Sequence, residues 1–304
     1  MATKTDTFYH ILALAIVLVW GVTFVSTKVL ISAGLTPEEI YLIRFVVSYL
    51  GIWLFSPRKI FADSWRDELR MALLGITGGT LYFLAENTAI EYSFASNVAL
   101  IVCTAPLWTA IAMGIIDPRE RLKKSQAVGS VAALAGVALV VLNGRFVLHL
   151  SPKGDLLALG AAISWMLYSI VLRRVNERYS PVFISRKTFF YGVLTVLPVV
   201  LVQPLRTDWS LLAEPAVWLN LLFLSVVASL LCFVGWNAVI NRLGVVRTTN
   251  YVYFNPIVAV VASAIVLGER ITPYAILGAA MIIAGMYFAE RRTNQQATRR
   301  KEHR

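Results

Sequence analysis

The feature that most constrains this chain is a succession of ten apolar blocks of roughly 18–24 residues, parted by short polar or basic stretches. A helix rises about 1.5 Å per residue, so about 20 apolar residues cross a hydrocarbon layer of about 30 Å. Blocks of that length fall near 8–31, 38–56, 70–90, 94–116, 125–143, 154–172, 183–204, 216–240, 247–267 and 272–289. The pattern predicts an all-α polytopic membrane protein of ten transmembrane helices. Composition agrees: 58% of the 304 residues are hydrophobic and the mean hydropathy is +0.70, against about 45–50% apolar residues in soluble domains. The tightest join is at Glu91-Tyr92-Ser93, where a very short turn must separate two helices. Pro106, Pro198 and Pro256 fall inside spans, where neighbouring helices can satisfy the carbonyls that a proline frees.

The net charge is +11, and the positions of its charges matter more than their sum. With a cytoplasmic N-terminus, the inside segments hold twenty Lys and Arg, while the outside loops hold only Arg145, Lys153, Arg206 and Arg270. That bias predicts a multi-pass protein of the bacterial inner (cytoplasmic) membrane, N-in and C-in. The basic tail 291–304 reads as an orientation signal in contact with the lipid bilayer, and no nucleic acid partner is expected. The first span is longer than the apolar core of a signal peptide, and no small-x-small site precedes the next span, so it is expected to be retained. Cys103 and Cys232 both fall within predicted helices and read as small packing residues.

The second half of the chain echoes the first. Asn87 and Asn237 lie 150 apart, as do Pro106 and Pro256. After a one-residue slip, Glu120-Arg121 matches Glu269-Arg270, Gly129 matches Gly278 and Gly136 matches Gly285, all at 149; Trp20 pairs with Trp165 at 145. The chain therefore divides into a first repeat over 8–143, a second over 153–290, and the tail. Each repeat holds five spans. Because five is odd, the second repeat must enter the membrane from the opposite side, and inverted repeats with a site between them near the midplane are a common build of secondary transporters. In the fifth and tenth spans, Gly129 and Gly136, like Gly278 and Gly285, stand seven apart and form a small-residue stripe on one helix face. The stripes fit either packing within the chain or the seam of a homodimer through helices five and ten.

Several segments resemble one family. Ser96-Asn97-Val98-Ala99-Leu100 through Pro106-Leu107-Trp108, Glu120-Arg121 and Gly129 to Gly136 are similar to the carboxyl half of an EamA domain. So are Tyr253-Phe254-Asn255-Pro256-Ile257 through Leu267-Gly268-Glu269-Arg270 and Gly278 to Gly285. Trp20-Gly21, Lys28 and Arg44-Phe45 fit the opening of the first copy; the second opens instead on Trp165-Met166 and Arg186-Lys187. The chain thus resembles the drug/metabolite transporter superfamily, EamA type, over residues 8–290. The resemblance implies ten helices and the movement of a small-molecule solute, often outward and often an amino acid or related metabolite. It also implies that helices one to four and six to nine rock about the site, with five and ten as packing staves.

Charges within a bilayer cost roughly 2.5–3.5 kcal/mol each on insertion, so each calls for a reason. Running each helix from its assigned side brings Lys28, Arg44 and Glu86 to a similar depth, where they could form a gate or ion cluster. Lys28 could instead snorkel to the interface, and Arg44 could tie helices together. Glu86 is the one strong candidate for a proton-coupling carboxylate, since burial disfavours its charged form. Arg186 and Lys187 read as interface anchors. Asn87 and Asn237 suit either helix–helix hydrogen bonds or solute contact. The helix breaks at Pro106 and Pro256 bring Thr104 and Asn255 forward as cavity residues, with a freed carbonyl near Val252. Trp20, Trp108 and Trp165, with Tyr168 and Tyr253, could line a cavity for apolar or aromatic amino acids; Trp236 and Tyr82 join that set, and core packing is the alternative for each. Trp53, Trp65, Trp209 and Trp218 sit near span ends as belt residues.

No catalytic set is evident. His10, His149 and His303 are scattered, no metal site can be assembled from them, and no phosphate-binding Gly-rich loop occurs. No cofactor is expected. The reading is a transporter or facilitator of small organic metabolites, working by alternating access and directed outward. A metabolite uptake permease or a membrane-embedded lipid-modifying enzyme are the alternatives.

Overall fold

The computed structural model describes residues 4–55, 59–92, 95–117, 124–142, 151–202, 209–267 and 271–285. Glu120-Arg121, Glu269-Arg270 and the tail 291–304 lie outside those residues. Ten helices and no strands occur among the described residues. The first repeat contains α1 (Lys4–Ser32), α2 (Pro37–Trp53), α3 (65–92), α4 (95–116) and α5 (Lys124–Leu142). The second contains α6 (Pro152–Val175), α7 (Pro181–Val202), α8 (Pro215–Leu243), α9 (245–267) and α10 (Pro273–Gly285). A short 3-10 turn, Trp209–Ala213, precedes α8. Five segments, Asp6–Ser32, Val98–Ile116, Pro152–Val175, Pro181–Val202 and Pro215–Leu243, are each long and apolar enough alone to cross a membrane.

The helix starts follow from local chemistry. Pro37 and Pro152 occupy first-turn positions, where a missing N–H costs nothing. Thr36 accepts a bond from the Glu39 amide while the Glu39 carboxylate takes the Thr36 amide, closing a capping box. Ser64 and Ser151 cap α3 and α6 in the simpler way. Between α8 and α9 the chain turns on Gly244 alone, whose φ of +85° is open chiefly to glycine.

The sequence pattern does not reveal two interruptions. In α3, residues Ile76–Leu81 run as wide π turns, and in α8 so do Phe223–Leu231. The wide turns occupy matching places in the two repeats and leave backbone carbonyls available to neighbouring helices. The Thr77 carbonyl accepts from Ser164 Oγ of α6 at 2.7 Å, the Ala228 carbonyl from Trp20 Nε1 of α1 at 3.0 Å, and the Ser225 carbonyl from Ser48 Oγ of α2 at 2.7 Å. The proline breaks are present too. α4 is interrupted at Cys103-Thr104, and α9 passes through a 3-10 stretch, Asn250–Phe254, before Pro256. The two breaks adjoin, with Cys103 Sγ 3.9 Å from the Val252 carbonyl.

Helices α5 and α10 record how the repeats are related. A Cβ on Gly136 would lie 2.6 Å from the Gly278 carbonyl oxygen, and one on Gly285 would lie 2.5 Å from that of Gly129. Since Gly278 is the repeat mate of Gly129 and Gly285 that of Gly136, each glycine meets the mate of the other. Such an exchange requires an antiparallel pair about a two-fold axis, so the repeats are inverted. The two stripes face one another within the chain, and a homodimer through these helices would use their opposite faces, where Val128, Val131, Ile276 and Ile283 are exposed.

Arg186 and Lys187 differ from the interface anchors expected of them. Both are buried. The Arg186 guanidinium lies 5.0 Å from the centroid of the Trp53 ring, and Lys187 forms an ion pair with Glu68 at the start of α3. The start of α3 packs closely against α7 and brings the Glu68 carboxylate within reach of Lys187.

Candidate functional site

The central contacts join the two repeats through aromatic side chains. Trp20 of α1 meets its repeat mate Trp165 of α6 edge to face at 5.5 Å, and Trp236 of α8 at 4.8 Å between ring centroids. Phe83 and Phe233, which also correspond between repeats, follow directly after the wide turns of α3 and α8 and pack on Phe45. Beside this cluster lies a narrow cavity whose empty space, its open mouth included, is about 520 Å³. Its walls are Trp20, Thr23 and Phe24 of α1, Arg44 of α2, Tyr82, Phe83 and Glu86 of α3, Val102 and Ala105 of α4, Trp165 of α6, Phe233 of α8, and Val252 and Asn255 of α9.

Two of those residues are ionisable and both are nearly enclosed. Glu86 is 8% exposed, and its Oε1 accepts from Tyr82 at 2.9 Å, a partner one helical turn back. Arg44 is 5% exposed; its Nε donates to Ser229 Oγ in the wide turns of α8, and the guanidinium lies 4.5 Å from the Phe83 ring centroid. Among the described residues the two do not pair directly. The two helix breaks supply the facing wall, through Ala105 and through Val252 and Asn255.

Of the residues picked from sequence, Trp20, Arg44, Tyr82, Glu86, Trp165 and Asn255 meet at this cavity. Lys28 does not: it is exposed on α1 and is not among the residues that line the cavity. Trp108 is 38% exposed and its indole N–H donates to Thr104 Oγ1 at 3.0 Å, so both belong to the outer side of α4. Tyr168 donates to Asn237 Oδ1 at 2.8 Å, and Asn237 Nδ2 donates to Ser185 Oγ at 2.9 Å, tying α6, α7 and α8 together in the core. Asn87 is buried on α3, and Tyr253 is buried against Cys103 and the α5–α10 pair; neither lines the cavity. Phe83, Phe233 and Thr23 line it without having been singled out. The 150-residue spacing of Phe83 and Phe233, equal to that of Asn87 and Asn237, was a signal that could have found the first two.

At a second place, near the start of α3, Asp67 is 3% exposed and accepts from Arg70 Nη1 at 2.6 Å and from Tyr179 at 3.1 Å. Burial alone would raise its carboxyl, but the bonds from Arg70, Tyr179 and Ser64, with the Arg178 charge, together hold it below the usual 3.8. Neighbouring Glu68 pairs with Lys187, accepts from Tyr191 at 2.5 Å, and takes the Ala62 amide at 2.7 Å. Arg173–Asp117 at 3.2 Å and Arg242–Asp6 at 2.9 Å are further ties at the same end of the bundle.

A bundle of inverted repeats with an aromatic-walled cavity between them, bordered by Arg44 and Glu86, defines a polytopic membrane protein whose two halves share one cavity. The EamA-like transporter family model matches residues 7–142 and again 152–290, so the chain belongs to that family and is a transporter, not an enzyme. It is 28% identical over 289 residues to a probable amino-acid metabolite efflux pump of Salmonella typhimurium, covering 91% of this chain and 92% of that one. It is 26% identical over 278 residues to a probable terminal-alkyne amino-acid exporter of Streptantibioticus cattleyicolor, covering 91% of both. A solved crystal structure superposes with a TM-score of 0.75 at 17% identity, covering 93% of this chain and 97% of the other, which bears on the fold alone.

Proposed function

We propose that this chain is a secondary transporter that moves small organic solutes, amino acids or related metabolites, outward across the bacterial inner membrane by alternating access. The observation that carries the reading is the sharing of one aromatic cavity, between inverted repeats, by Arg44 and Glu86. Charges in so enclosed a place are expensive unless a solute uses them. The names of the relatives in Salmonella typhimurium and Streptantibioticus cattleyicolor support the solute class and the outward direction. The excess of basic residues on one set of loops supports an N-in, C-in orientation.

The test is efflux from proteoliposomes loaded with a mixed amino-acid and metabolite panel, with and without an imposed pH gradient. Saturable efflux of at least one amino acid or related solute is the expected outcome, with a large loss in Glu86→Gln. Loss of gradient dependence in that variant would assign proton coupling to Glu86. Absence of any flux from vesicles holding demonstrably folded protein would overturn the proposal.

A further inference from the structure

We infer that the cavity recognises its solute by two opposite poles, the free edge of the Arg44 guanidinium taking a carboxylate and the free oxygen of Glu86 taking an ammonium. The solutes so defined are zwitterionic α-amino acids with an apolar or aromatic side chain. The inference rests on the transporter reading of the same cavity and narrows it.

Both poles are held by protein groups that leave their outer atoms available. Ser229 engages only Nε of Arg44, and Phe83 supports the plane of the guanidinium. Its two terminal nitrogens, the pair suited to grip a carboxylate with two parallel bonds, have no protein partner among the described residues. Tyr82 engages Oε1 of Glu86 and leaves Oε2 without one. Had stability alone been served, Arg44 and Glu86 would be paired with each other, since a lone charge in such surroundings is costly. Instead each is fixed separately, on α2 and on α3, and both border the same empty space.

An α-amino acid hangs its ammonium and carboxylate from one carbon, so a single small molecule can satisfy both groups at once and restore neutrality. Its side chain is then left to the rings of Trp20, Trp165 and Phe233. Two further polar atoms fit the same solute. Trp165 Nε1 and Asn255 Oδ1 are buried without a hydrogen-bond partner, one a donor and one an acceptor, on residues that line the cavity. A solute with a single charge leaves one pole unanswered. A site built to hydrogen-bond a group rejects analogues lacking it far more strongly than a merely apolar pocket does.

The experiment is efflux competition in proteoliposomes with matched probes: phenylalanine, leucine and methionine; phenethylamine, which lacks the carboxylate; and 3-phenylpropionate, which lacks the ammonium. Wild-type protein should carry at least one of the three amino acids and prefer it to either one-pole probe by about tenfold or more. Arg44→Gln should lose most of the discrimination against phenethylamine, and Glu86→Gln most of that against 3-phenylpropionate. Wild-type protein that takes a one-pole probe as well as phenylalanine overturns the two-pole reading. So does flux of some other solute class while all three amino acids stay behind, although the protein then remains a transporter. Silence toward every solute overturns the transporter reading and this inference with it. Should either variant fail to fold, the wild-type probe series decides the matter alone.

Discussion

Trp20 and Trp165, the matching tryptophans of the two repeats, touch edge to face at 5.5 Å but differ in what their indole N–H groups do. Trp20 donates to the Ala228 carbonyl at 3.0 Å, a group made available by the wide turns of α8, whereas Trp165 Nε1 is buried without a partner. Phenylalanine at each place keeps most of the ring and deletes the donor. Trp20→Phe removes the hydrogen bond to the Ala228 carbonyl and should cost about 1 kcal/mol. Trp165→Phe deletes an unpaired donor and should leave stability nearly unchanged while weakening solute binding. Apparent Tm in detergent, read beside efflux, separates the two. Equal destabilisation by both variants would show that the orphaned N–H of Trp165 is not free in the folded protein.

What the sequence made legible was the periodic part of the molecule. Ten apolar blocks, the offsets of 149 and 150, and Pro106 with Pro256 located the helices, the repeat and both helix breaks, because each is a property of residue type at a fixed spacing. The wide turns at Ile76–Leu81 and Phe223–Leu231 were not legible. No residue type demands such a turn; tertiary packing selects it, and it decides which face of α3 and α8 carries Phe83, Glu86 and Phe233 into the cavity. Depth could be read for Lys28, Arg44 and Glu86 alike, but rotation about the helix axis could not. Lys28 consequently shared a depth with the other two and faces elsewhere. Arg186 and Lys187 failed for a related reason, since their nearness to a span end said nothing of the acidic partner waiting at Glu68.

The crossing of α5 and α10 should be intolerant of a single added methyl. Gly136→Ala places a Cβ 2.6 Å from the Gly278 carbonyl oxygen and 2.8 Å from the Ile282 backbone nitrogen, both main-chain atoms that cannot swing aside. The helices would have to separate, at a cost of about 1–3 kcal/mol. Gly160→Ala is the control, because nothing lies within 4 Å of a Cβ there. Monodispersity on size exclusion and apparent Tm should fall for Gly136→Ala and hold for Gly160→Ala.

The Glu68–Lys187 pair should show strong coupling in a double-mutant cycle. Lys187 is nearly enclosed, its side chain 5% exposed against 20% for Glu68. Removing one member of a buried pair costs about 3–5 kcal/mol when fully enclosed, and somewhat less is expected here because Glu68 keeps some contact with water. Glu68→Gln strands the ammonium of Lys187, whereas Lys187→Met leaves Glu68 its bonds from Tyr191 and Ala62. Glu68→Gln should therefore be the more damaging single change, and adding Lys187→Met to it should recover part of the loss. Additive effects would mean that the pair contributes nothing jointly.

Asp67 gives the pH dependence a definite sign. Its hydrogen bonds outweigh burial and lower its folded-state pKa below the ordinary 3.8, so the native state binds fewer protons at this site than the unfolded chain does. The stabilisation is therefore fully present above the unfolded value of about 3.9 and is lost as pH falls through the lower folded value. Asp67→Asn keeps the size but removes the charge that Arg70 and Arg178 face. The variant should melt below wild type at pH 7, and the gap should narrow as the buffer is taken from pH 5 toward pH 3. Apparent Tm of both proteins across that series is the measurement. A gap that stays constant to pH 3 would mean that Asp67 contributes through its shape and hydrogen bonds rather than its charge.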